Sequence, residues 1–211
     1  MKRWIAVGVG VVAFVSWKFV LPFAWGSAAA APISLDAEPV QTAIEPPEEI
    51  TVTRGGQSFT IEKLYTYEVQ GEVLSASKYD LTWTNDFFDV DLGLIWGPKR
   101  ESLKHNFKFF QMGRWLFWRT DEEPGPDLRA VVTRSISNNH AIPAEGSKRV
   151  ASMLRRIGKG DVVRLKGALV KISGPGGEVL ATSSFSRDDT GDGACEVVWI
   201  DELQVGGRLY R

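Results

Sequence analysis

Beyond residue 50, apolar and polar positions alternate at period two over several short stretches, the spacing of half-buried β-strands. Residues 51–54 and 58–61 flank Gly55-Gly56, which reads as strand, turn, strand. Tyr65, Tyr67 and Val69 share one face of a strand that runs through Gly71 into Val73-Leu74. Residues 81–97 place Asp86, Asp89 and Asp91 among Phe87-Phe88 and the hydrophobic run from Leu92 to Trp96. Residues 107–119 read as two short strands or one bent strand, with Phe107, Phe109, Trp115 and Phe117 expected in the core. Further strands are expected over 128–136, 161–172 and 178–185, and a loop over 137–144. Only residues 147–157 have helical spacing. There Val150, Met153, Leu154 and Ile157 share a face behind Ser147 as N-cap, and Gly158 follows.

This pattern predicts a mainly β fold: a single antiparallel β-barrel or sandwich, an OB-like barrel being one form of it, with one short helix. An N-terminal membrane helix precedes it. Residues 4–25 are almost wholly apolar behind Lys2-Arg3, long enough to span a bilayer, and end in a small-residue stretch. Both an uncleaved anchor and a cleaved secretory signal fit residues 1–26. Either way the body is expected outside the cytoplasm, on the inner membrane as a single-pass protein or free in the periplasm. Residues 27–49 are rich in Ala and Pro, acidic and free of Lys and Arg, which predicts a disordered linker. Residues 50–211 then form one β-rich extracytoplasmic domain.

The formal net charge of −1 argues against a general polyanion binder, and export argues against nucleic acid as a partner. Residues 148–171 hold a basic run interrupted by one acid, Asp161, which suits a solvated face or an anionic envelope partner. The chain contains one cysteine, Cys195, so no intramolecular disulfide forms. No P-loop, dinucleotide fingerprint or nucleophile elbow is present.

Candidate chemistry gathers in residues 183–205, a polar, glycine-rich loop running into Val197-Val198-Trp199-Ile200. Cys195 is a candidate nucleophile, His140 its acid or base, and Arg187 or Arg208 the cation that stabilises an oxyanion. With the N-terminal anchor, the linker and the order His140, Gly160-Asp161, Cys195, Arg208, the layout resembles that of the sortases. The resemblance covers about the last third of the chain and implies a β-barrel cysteine transpeptidase using those residues. It departs from the family where Cys195 follows Gly-Asp-Gly-Ala and where Asn139 precedes His140. Asp188, Asp192 and Glu196 offer oxygens for a Ca²⁺ ion, as do Asp86, Asp89 and Asp91. The expected role is binding or scaffolding at the bacterial envelope, with an envelope protein or cell-wall polymer as partner. The alternative is a cysteine transpeptidase or hydrolase.

Overall fold

The computed structural model describes residues 30–78, 87–186, 188–191 and 193–211. The expected N-terminal membrane segment lies outside the described residues, as do Arg187, Asp192 and Asp86. Among the described residues no helix is long and apolar enough to cross a membrane. The fold of the described residues is mainly β, a large sheet with three helices.

Strand β1 (Val40–Arg54) turns at Gly55-Gly56, both at positive φ, into the long β2 (Gln57–Lys78). β1 therefore reaches back through ten residues of the expected linker. Its register shifts between Ala43 and Glu48, where Pro46-Pro47 interrupts the ladder against β2. Strand β3 (Val90–Ile95) pairs with β2 and with β6 (Ile136–Pro143). β6 corrects the expected loop. Its residues from Ser137 to Pro143 are all buried, so Asn138, Asn139 and His140 find partners inside the protein instead of in water.

β6 pairs in parallel with β9 (Glu196–Val205). β9 pairs with β7 (Val162–Ser173), and β7 returns to pair with β2. The pairing thus runs β2–β3–β6–β9–β7 and back to β2. β8 (Val179–Thr182) pairs with β7, and β10 (Arg208–Tyr210) with β9. One side of this ring is apolar: Val90, Leu92, Leu94, Ala141, Val198 and Ile200 form one cluster with Tyr67 and Leu165. Helix α3 (Lys148–Leu154) adds Val150 and Leu154, as its periodicity predicts, though Ser147 makes no side-chain cap. Strand alternation puts Asp91, Gly93, Asn138, His140 and Val197 on the other side.

Two further helices are present, the second in place of an expected strand. α1 (Arg100–Asn106) buries Leu103, and α2 (Pro126–Arg134) buries Val132. α2 covers most of the expected strand at 128–136. Its β-branched run is outweighed by Pro126 in the first turn and by packing against Ile95 and Phe107. A two-stranded hairpin, β4 (Lys108–Met112) and β5 (Trp115–Arg119), lies over the second side of the ring, where Leu74 and Ile95 cluster with Phe107 and Trp118. It seats closely because residue 93 has no side chain: a Cβ there would stand 2.8 Å from Leu116 Cδ1 and 2.5 Å from Ser75 Oγ. Phe107 is buried, as expected, and Phe109 and Trp118 are partly buried against its cluster. Trp115 and Phe117, expected in the core, are instead on the exposed face of the hairpin with Phe110 and Met112.

Candidate functional site

The register that places Asp91 opposite His140 also makes their side chains neighbours on that second side of the ring. His140 Nδ1 lies 2.5 Å from Asp91 Oδ1, and both groups are buried. A carboxylate oxygen only accepts, so Nδ1 carries the hydrogen of this contact, and in the neutral ring Nε2 is the nitrogen with the lone pair. Phe88 packs edge-on against the imidazole, with ring centroids 5.6 Å apart. The ring is thereby fixed in tautomer and in orientation.

Cys195 immediately precedes β9, next to Glu196, which pairs with Asn139. That brings the half-buried thiol beside Asn138, whose Nδ2 lies 3.4 Å from Cys195 Sγ. Asn138 is itself positioned by the hairpin. Its Nδ2 donates to the Arg114 carbonyl at 2.7 Å, and its Oδ1 accepts from Gln111 at 3.2 Å. Gln111 in turn accepts from Ser75 Oγ at 3.0 Å. Arg114, at the hairpin turn, lays its guanidinium over Phe88, 4.3 Å from the ring centroid.

These groups meet at two clefts. One, about 250 Å³, is lined by His140, Cys195, Arg114 and Trp115, with Ala181 and Thr182 of β8 opposite. The other, about 560 Å³, runs between β5, α2 and the segment before β9. Cys195 and Trp115 line both. Burial raises the thiol pKa above its ordinary value. The Asn138 hydrogen bond and the charge of Arg114 act the other way, while Glu196 and Asp91 reinforce the rise. The resting group is therefore a neutral thiol, and attack through sulfur requires a base to take its proton.

The structure thus gathers His140 and Cys195 at one cleft and adds Asp91, Asn138 and Arg114. Arg208 sits on β10 opposite Val205, at the far end of β9 from Cys195, roughly 30 Å along the strand at about 3.3 Å per residue. Arg114 holds the cationic place beside the thiol instead. His140 lies within β6, and Cys195 lies just ahead of β9. Asp188 Oδ1 receives Arg134 Nε at 2.6 Å. Strand alternation turns Glu196 to the opposite side of the sheet from Cys195. Among the described residues no three His, Cys, Asp or Glu side chains form a metal-binding group. Asp89 points to Arg155 at 3.2 Å, apart from Asp91.

The sequence offers Asp91 only as a cation ligand, and nothing in it sets Arg114 apart from the other basic residues. Period-two alternation through Val90, Asp91, Leu92 was the available signal that Asp91 faces away from Leu92. Its partner depended on register. No family model, curated protein or solved structure matches this chain.

Proposed function

We propose that this protein is a cysteine-dependent acyl transferase or hydrolase of the bacterial cell envelope. It would be anchored by residues 4–25, with the β domain outside the cytoplasm. The observation that carries the reading is the Asp91–His140 pair at 2.5 Å opening onto the same cleft as Cys195. A nucleophile, a base and a buried group orienting the base are the three parts such chemistry needs. The cyclic strand order, with β6 and β9 parallel, is further read as an OB-type barrel. OB barrels bind polymers across the face of their second and third strands and the loop between the fourth and fifth. In this chain those are β3, β6 and the β7–β9 connection, which carry Asp91, His140 and Cys195.

The chemistry follows from the groups present. His140 Nε2 takes the thiol proton as Cys195 sulfur bonds to a substrate carbonyl carbon. Negative charge on the carbonyl oxygen is met by Asn138 Nδ2 and the Arg114 guanidinium. The intermediate collapses to a thioester, and the leaving amine or alcohol departs with the proton held by His140. Water or an amine, deprotonated by His140, then attacks the thioester. The acyl group leaves with it, and the cysteine regains its proton.

p-Nitrophenyl acetate tests this on the full chain. The expected result is one acetyl group on Cys195, absent in Cys195→Ala and formed roughly 10²–10⁴-fold more slowly in His140→Ala. Equal acetylation of Cys195 in the His140→Ala protein refutes the assignment. The second reading, a binding module for an envelope protein or cell-wall polymer, is favoured by the raised thiol pKa together with the aromatic surface of the β4–β5 hairpin.

A further inference from the structure

The larger cleft has an unusual wall. Trp115, Leu116, Phe117, Trp118 and Arg119, the whole of β5, all line it. Side chains of a strand alternate between two faces, so a cavity over one face meets every second residue. A cavity that meets every residue runs along the hydrogen-bonding edge. Among the described residues β5 pairs only with β4. An antiparallel ladder turns every second N–H and C=O of such a strand away from its partner. In β5 those groups face the cleft. Its opposite wall is built from Thr133 of α2, Ser137 and Asn138 of β6, and Ala194 and Cys195.

We propose that this groove takes an extended polypeptide, added as a third strand to the β4–β5 hairpin, and delivers its backbone carbonyl to Cys195. This rests on the acyl-transfer reading above and names its substrate class. Three observations converge on a peptide. The unpaired edge offers donors and acceptors in the repeat of another strand. The five residues of β5 give an edge of about 17 Å, enough for a segment of similar length. The groove is also continuous with the catalytic cleft, since Trp115 and Cys195 line both. A bound strand leaving the Trp115 end of β5 enters the smaller cleft, which Trp115, Cys195 and His140 line. Arg119 marks the other end, and its guanidinium forms no ion pair among the described residues. An acidic side chain on the peptide, several residues from the attacked carbonyl, is the complement.

The test uses the full chain and a pool of acetylated pentapeptidyl chloromethyl ketones, which alkylate Cys195 with loss of chloride. Rates are read by mass spectrometry and divided by the rate of each reagent with free cysteine. A second pool carries a single backbone N-methyl group at each position in turn, which removes one donor. Strand addition predicts a loss of tenfold or more at alternate positions and little at those between. Thr133→Trp, which narrows the groove from α2 without touching β5, should slow the peptidyl reagent and leave iodoacetamide labelling unchanged. Peptides with Asp or Glu toward the Arg119 end should react fastest. Equal rates across the N-methyl series overturn the proposal. So does protection of Cys195 by a chitin oligosaccharide where unreactive peptides give none, because the groove then holds sugar. Acetylation by p-nitrophenyl acetate needs no groove, so it still reports on Cys195 and His140 if the peptide proposal fails.

Discussion

Asp91→Asn separates a structural role for the buried pair from a chemical one. The change keeps the side-chain size where no space is available, since Asp91 is fully buried. It exchanges a charge-assisted hydrogen bond to His140 for a neutral one. Hydrogen bonds to charged groups contribute about 1.5–3 kcal/mol and neutral ones about 0.5–1.5, so stability should fall by about 1 kcal/mol. For a chain of this size that lowers Tm by about 2–4 °C. The protein stays folded at 25 °C, because native stabilities are about 5–15 kcal/mol. The chemical effect is larger. When His140 takes the proton from Cys195 it becomes a cation, and Asp91 is the anion bonded to it. Opposite unit charges about 4 Å apart interact by about 4 kcal/mol at an effective dielectric of 20. Losing that term in the transition state slows acylation roughly 10³-fold. The assay is the rate of acetyl-Cys195 formation beside a thermal melt of the same sample. A melt lowered by a few degrees with an acylation rate within a few fold of the native protein refutes the argument. The Asp91–His140 pair would then be a packing feature only.

Two further outcomes follow from the geometry. Burial raises the Cys195 pKa in the folded chain, so the folded state holds this proton more tightly than the unfolded one. The resulting stability is fully present below the ordinary thiol range and is lost as pH rises through the raised value. Urea unfolding from pH 8 to 10 should therefore show a loss of stability that Cys195→Ala reduces, and an identical pH slope in the variant contradicts this. Gly167 sits at the register shift between β7 and β9, where a Cβ would collide with the Trp199 backbone carbonyl. Gly167→Ala should cost about 1–3 kcal/mol, seen as a Tm drop of about 2–4 °C per kcal/mol. An unchanged melt would mean the bulge relaxes freely.

What could be read from the sequence was local. The Gly55-Gly56 turn, the alternation from Tyr65 to Val69 and the helical face of Val150 and Leu154 all report on nearest neighbours, and the structure has each of them. The elements missed were those set by distant packing. Val40 to Glu49 has the composition of a tether but gains order as an edge strand along β2. Val131-Val132-Thr133 favours a strand by propensity, yet Pro126 and the contacts of Val132 fix a helix. Ser137 to His140 looks like a loop because buried polar strands are rare, and only β3 and β9 on either side make it a strand. The site followed the same division. Cys195 and His140 were visible as single residues of reactive type. Arg208 is suggested by order along the chain, while the fold brings Arg114 beside the thiol. Asp91 could be assigned to His140 only once β3 and β6 were aligned.

The parallel pairing of β6 with β9 has a consequence for when the protein becomes competent. Strands that run the same way cannot be joined by a tight turn, and this crossover carries α3, β7 and β8 before β9 begins. Asp91 and His140 can meet once β3 and β6 are in place, whereas Cys195 joins them only when the last long strand docks. Contacts of such sequence separation form late and slowly. On the chemistry proposed above, the thiol and its base would stay apart until β9 has docked. The order of the strands would then set the timing, holding the two groups apart until β9 is in place.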